Sequence, residues 1–282
     1  ANLVPLVIVG TRQRAQTHRD AHAMRLDEFR HFKGIIPRTT HHVAQGLQNR
    51  HPSIVPHPYP MFRFPRNRTV VQRTIWTCIE QQRELKRHWR AAAIERRKRT
   101  SADQRREAGR LLAEHALEAS LIRPRSTVAA FASMGSEISM MPLLEAMFDT
   151  DCRVLGARVW GAGMEVGWSE LNGLDDLRDQ RNADGSINTH RPQEPENAAE
   201  GPEVLTSAEL IIVPAFAVDE HGFRLGRGGG WYDRALEHRS STARVVAVCW
   251  PWEPTDETVP HEPHDIPVDG VLTPDGYADV RG

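Results

Sequence analysis

From about residue 78 onward the chain repeats one pattern: short runs that are apolar throughout, separated by segments with helical spacing. The apolar runs lie at 127–132, 152–159, 164–171, 209–213, 243–250 and 268–272. A strand with one wet face alternates apolar and polar residues, so strands apolar along their whole length need cover on both sides. Helices between the strands supply that cover. The expected fold class is therefore α/β, a three-layer sandwich around a mainly parallel sheet.

The intervening segments carry their own signals. Leu85, Trp89, Ala93 and Arg97 recur every fourth residue, which predicts a helix over 78–99 with arginines crowding its other face. Ser101 followed by Gln104 is a capping box and opens a second helix reaching about residue 119. Ser139 is expected to cap a third helix, with Pro142 in its first turn, ending near Phe148. A fourth helix is expected over 232–238. The polar segment 172–203, rich in Asn, Asp and Pro, is a long excursion between strands, and loops of that length are functional or disordered.

The first part of the chain differs in kind. Residues 1–80 hold 12 Lys and Arg against 4 Asp and Glu, a balance of +8, although the 282-residue chain sums to −1. The near-neutral total therefore says nothing about partners, since it adds a basic segment to an acidic remainder. Between Thr11 and Arg73 no apolar period persists, while Pro and His recur, so ordering that stretch would bury too little apolar surface to offset the entropy lost. Residues 1–77 are expected to be a poorly ordered basic extension, and 78–282 the working domain. The extension's charge, with Phe29, Phe32, Tyr59, Phe62 and Phe64, would suit a nucleic-acid strand. Without a nucleic-acid-binding motif, a solvated tail or an upstream-translated leader is the favoured reading.

Other classes are excluded on composition. The apolar opening at residues 3–9 is far shorter than the roughly 20 residues of a spanning helix, and it lacks the flanks of a secretory signal. Cys78, Cys152 and Cys249 are odd in number and far apart, with no C-x-x-C pair, which suits a reduced, cytoplasmic protein. The cluster His261, Glu262, His264 and Asp265 contains a proline that disfavours the helix a zinc H-E-x-x-H site needs, so it reads as a polar loop.

The densest chemical signal is the run from Asp219 to Arg234, which follows the apolar run ending at Val213-Pro214 and opens into a helix. Gly226, Gly228, Gly229 and Gly230 let backbone N–H groups point into one concavity, with Arg224 and Arg227 as cations beside it. The run is neither a Walker A loop nor a dinucleotide fingerprint. Glycines alone would read equally well as a flexible turn; two arginines, Trp231, Tyr232 and Asp233 at fixed offsets argue for phosphate binding.

Arg224-Leu225-Gly226-Arg227-Gly228-Gly229-Gly230-Trp231-Tyr232-Asp233-Arg234 resembles the signature of the 5-formyltetrahydrofolate cyclo-ligase, or methenyltetrahydrofolate synthetase, family. Further matches fall in the family's order: Lys86 with Arg90, the run from Phe131 to Ile138, Val213-Pro214, and Asp265 with residues 268–271. The resemblance covers about residues 80–275. It implies a reaction in which ATP, as co-substrate with Mg²⁺, phosphorylates the formyl oxygen of 5-formyltetrahydrofolate, after which N10 closes the ring and phosphate leaves.

By the same resemblance Lys86, Arg90 and the loop from Arg224 through Leu225 to Tyr232 bind ATP. Asp233 and Asp265 hold the metal. Ala132, Glu137, Trp168, Arg227 and Trp231 meet the folate, and Arg227 and Glu137 carry the catalysis. Each has a plainer reading: solvated charge for Lys86 and Arg90, a first-turn helix acid for Asp233, a loop cap for Glu137 and a core side chain for Trp168. Phosphoryl transfer needs positioning and charge neutralisation and no protein nucleophile, consistent with the absence of a Ser/His/Asp or Cys/His set. A monomer is expected, with no membrane partner. The alternatives are a sugar-phosphate isomerase or CoA-transferase-like relative, or nucleic-acid binding through the extension.

Overall fold

The computed structural model describes residues 70–160 and 165–280, so residues 1–69 of the expected basic extension lie outside the described residues, and 70–77 belong to a helix instead. Helix α1 spans Val70–Arg97, beginning upstream of its predicted start, and α2 spans Ala102–Glu118. The capping box at the head of α2 is formed: the Gln104 amide donates to Ser101 Oγ, and the Ser101 amide donates to Gln104 Oε1. Strand β1 is Thr127–Ala130, α3 is Met141–Asp149, β2 is Arg153–Trp160 and β3 is Glu165–Leu171.

One cap differs from expectation. Ser139 does not cap α3; Met140 holds the N-cap position in helical conformation, and its amide donates to Ser133 Oγ at 3.1 Å. The reason is tertiary. The Ser139 amide is drawn to the Arg105 carbonyl on α2, where Gly109 lets the helix approach so closely that a Cβ would stand 2.1 Å from the Ser139 oxygen.

The polar excursion is structured. A 3-10 turn at Leu174–Asp176 leads to the paired short strands β4, Leu177–Arg178, and β5, Glu194–Pro195. Pro195 rests on Gly156 of β2, and buried Glu194 faces Arg158 and Arg191. After a 3-10 segment at Pro202–Ser207 come β6 (Leu210–Pro214) and the antiparallel pair β7 (Ala217–Val218) and β8 (Arg224–Leu225). Helix α4 (Trp231–Leu236), β9 (Arg244–Val248), β10 (Gly270–Thr273) and β11 (Gly276–Asp279) complete the chain. Strand β11 has no counterpart in the sequence reading, because its residues are polar and half exposed.

The main sheet has the order β11-β10-β9-β6-β1-β2-β3. The pairs from β10 across to β2 are parallel; β11 and β3 run antiparallel at the edges. Period-two alternation divides the strand side chains between two cores. Val128, Ala130, Val154, Ile212, Val246 and Leu272 pack with Leu112, Leu143 and Met147 of α2 and α3. Ala129, Leu155, Ile211, Val213, Val245 and Ala247 pack on the opposite side with Leu205, Ala235 and Leu236. Two buried faces explain why the strands read as unbroken apolar runs.

The connections define where a ligand belongs. The chain passes from β1 to β2 on one side, then returns to place β6 on the other, so the strand order reverses between β1 and β6. In open parallel sheets such a reversal leaves a crevice outside the carboxyl ends of the strands.

Candidate active site

The loops leaving β1, β6 and β9 at their carboxyl ends carry most of the predicted site residues. After β1 comes Glu137, only 8% exposed. Its Oε2 accepts from the Met134 amide at 2.9 Å, which caps its own loop. Its Oε1 accepts from Arg227, at 2.9 Å from Nη2 and 3.3 Å from Nε. The loop reached from β6 and the loop leaving β1 are thus joined across the reversal point by one ion pair.

The Gly-rich loop is built by its flanks. Buried Asp219 accepts from the His221 and Phe223 amides through Oδ1 and from the Val259 amide through Oδ2, so one carboxylate shapes the turn between β7 and β8. In that turn Gly222 has φ +83°, and a Cβ there would meet the Val268 carbonyl oxygen at 2.4 Å. Arg224, nearly buried, bridges the Asp233 carboxylate and the Ile266 carbonyl, both at 2.8 Å. Tyr232 opens α4 beside them, and burial, reinforced by Glu137, pushes its hydroxyl pKa upward. It therefore stays protonated and can donate a hydrogen bond.

Helix α1 lies against this loop. Arg90 Nε donates to the Gly226 carbonyl at 2.7 Å, and a Cβ on Gly228 would stand 3.0 Å from the Arg90 Cζ. Partial burial lowers the Arg90 pKa without threatening its charge. One turn earlier Lys86 Nζ stands 3.5 Å from Asp265 and 3.7 Å from Glu262. The residues that had suggested zinc thus form the acidic partner of Lys86. His261 of the same loop stacks on Phe223 with centroids 3.5 Å apart.

Two predicted folate residues lie in the core. Ala132 packs beneath the β1 loop. Trp168 on β3 is fully buried against the second core, its indole N–H without a protein partner, so the structure does not bring it to the Glu137–Arg227 pair. Trp231 is partly buried at the head of α4 and packs over Gly229.

Sequence reasoning missed the buried ion pair and the paired indoles that stand behind these loops. Arg97 is 2% exposed and binds Glu253 in two-pronged fashion, Nε to Oε1 at 2.7 Å and Nη2 to Oε2 at 2.6 Å. Trp250 donates its indole N–H to the Ser136 carbonyl at 3.4 Å and stacks on Trp252, over which Arg96 lies. A signal for Arg97 was present, because a charge on the apolar stripe of α1 requires a buried acid.

Residues 82–274 match the family model described as the 5-formyltetrahydrofolate cyclo-ligase family. The chain belongs to that family. Its activity is accordingly 5-formyltetrahydrofolate cyclo-ligase activity, which uses ATP, and the sugar-phosphate isomerase and CoA-transferase-like readings are set aside. The 5-formyltetrahydrofolate cyclo-ligase of Mycolicibacterium smegmatis is 38% identical over 152 residues, covering 52% of this chain and 73% of that one. The cyclo-ligase of Escherichia coli is 28% identical over 189 residues, covering 64% and 95%. The solved structure of Aquifex aeolicus 5,10-methenyltetrahydrofolate synthetase gives a TM-score of 0.53 at 22% identity, over 70% of this chain and 94% of that one, a likeness that speaks for the fold. No helix among the described residues is long and apolar enough to cross a membrane.

Proposed function

We propose that the crevice between β1 and β6 performs the cyclo-ligase reaction in two steps with no covalent enzyme intermediate. The formyl oxygen of 5-formyltetrahydrofolate attacks the γ-phosphorus of ATP and ADP leaves. N10 then adds to the activated formyl carbon and gives up its proton, and phosphate departs with the former formyl oxygen and takes up that proton, giving 5,10-methenyltetrahydrofolate. The observation that carries this reading is the Arg227–Glu137 pair, which puts a cation of the Gly-rich loop in contact with a buried carboxylate of the β1 loop.

In this reading the amides of Gly226, Gly228, Gly229 and Gly230 cradle the phosphates, with Lys86 and Arg90 closing over them from α1. Arg227 neutralises charge that grows on the transferring phosphoryl group, and Glu137 accepts hydrogen bonds from folate nitrogens beside it. Trp231, partly buried at the head of α4, frames the folate side.

Asp233 and Asp265 are the residues that would hold Mg²⁺. They supply two carboxylates, tied to each other's neighbourhood because Arg224 spans Asp233 and the Ile266 carbonyl. That set fits an ion that binds through one or two carboxylates plus substrate phosphates. When bound, the ion would offset phosphate charge; Arg224 and Lys86 hold the two carboxylates in place. The enzyme is proposed to act as a cytoplasmic monomer.

The test is direct. Protein mixed with 5-formyltetrahydrofolate and MgATP should produce methenyl absorbance with stoichiometric ADP, while Arg227→Ala and Asp233→Ala should each lower kcat by about a hundredfold or more with circular dichroism unchanged. Wild-type turnover in both variants would refute the residue assignment.

A further inference from the structure

Arg227 has a difficulty that the ion pair with Glu137 does not resolve. Its side chain is 47% exposed, and a long, half-solvated side chain is held only weakly by one charge pair, whose attraction water screens. Several rotamers would satisfy Glu137 loosely, whereas charge stabilisation at a reacting phosphorus requires one orientation.

A second contact meets that need. The Arg227 guanidinium lies over the Phe216 ring, 5.7 Å from its centroid, within the range of cation–π attraction. Phe216 is itself fixed from two directions. Its amide donates to the Leu225 carbonyl at 2.7 Å, which ties it to the strand that launches the Gly-rich loop. The carbonyl of the preceding residue, Ala215, accepts from Arg97 Nη2 at 2.5 Å, and the Arg97 guanidinium also lies over the same ring at 4.4 Å. Arg97 is in turn immobilised by Glu253, whose Oε2 accepts a further hydrogen bond from the Trp250 amide at 2.8 Å. Around the ring pack Leu225 and Val259, with Trp89, Ala93 and Ile94 of α1 alongside.

We propose that Phe216 is a positioning residue for the cyclo-ligase reaction: braced by the buried Arg97–Glu253 pair, its ring holds the Arg227 guanidinium in the orientation that acts on the transferring phosphoryl group. The inference rests on the role given to Arg227 above. Phe216 acts through Arg227 and touches no substrate. The same brace joins α1, which carries Lys86 and Arg90, to the loop that carries Arg227, so both sides of the phosphate cradle share one anchor.

The experiment is a double-mutant cycle on the full chain, with kcat, the KM values for ATP and 5-formyltetrahydrofolate, and Tm measured for each variant. Phe216→Leu is expected to lower kcat about tenfold with both KM values nearly unchanged, and Phe216→Tyr, which keeps the ring face, to restore turnover. In the Arg227→Ala background, Phe216→Leu should cost nothing further. A merely structural Phe216 would lower kcat by the same factor in both backgrounds, and that result overturns the proposal while leaving the role of Arg227 intact. Full turnover in Phe216→Leu overturns it equally. Full turnover in Arg227→Ala alone would bring down the underlying site assignment and this inference with it.

Discussion

An arginine on the apolar stripe of a helix must either snorkel to water or find a buried acid, and Arg97 takes the second course with Glu253. Burial pushes the Glu253 carboxyl above its ordinary value of 4.5, with Arg97 pulling the other way. A carboxyl raised in this way holds its proton more tightly in the folded than in the unfolded chain. Its contribution to stability is therefore complete below the ordinary value and is lost as pH rises through the raised one. Arg97→Met removes the main opposing pull and strands a buried charge. It should cost about 3–5 kcal/mol near neutral pH. The loss should shrink as pH falls from neutral toward the ordinary carboxyl value of 4.5, because Glu253 takes up its proton on the way. Urea unfolding across that range checks it; a loss independent of pH would trace the effect to packing alone.

At the scale of elements, two substitutions separate folding from binding. Gly228 has φ +96°, and a Cβ there would stand 3.0 Å from the Arg90 guanidinium carbon. Alanine there strains the backbone, by about 1–2 kcal/mol, and crowds the Arg90 guanidinium by a few tenths of an ångström. The expected result is an elevated KM for ATP, about tenfold, equivalent to ~1.4 kcal/mol of binding. Ser101→Ala removes the capping box of α2, which makes no hydrogen bond to the loop, and should cost about 1 kcal/mol of stability with the KM for ATP unchanged. Steady-state kinetics paired with thermal melts distinguishes the two, and an unchanged KM in Gly228→Ala would count against a phosphate role for the loop.

At the scale of the whole molecule, the family match begins at residue 82, inside α1. Removing residues 1–69, ahead of the first described helix, should leave kcat and both KM values unchanged. A truncated protein that keeps its fold but loses turnover would place part of the site in the removed segment.

What sequence by itself determined is local or periodic: the capping box at Ser101, the doubly buried strands and the spacing of the loop from Arg224 to Asp233, each set by contacts between near neighbours or by the period of one element. What only the tertiary structure decided depends on residues far apart in the chain. The N-cap position of α3 fell to Met140 and not to Ser139, whose amide is held by the Arg105 carbonyl of α2. Trp168 went to the core because the antiparallel register of β3 on β2 turned it inward. Glu137 met Arg227, and Arg97 met Glu253, only where the order of parallel strands reverses and brings three loops together. No one-dimensional period encodes such meetings, since they arise when the strands pair and not before.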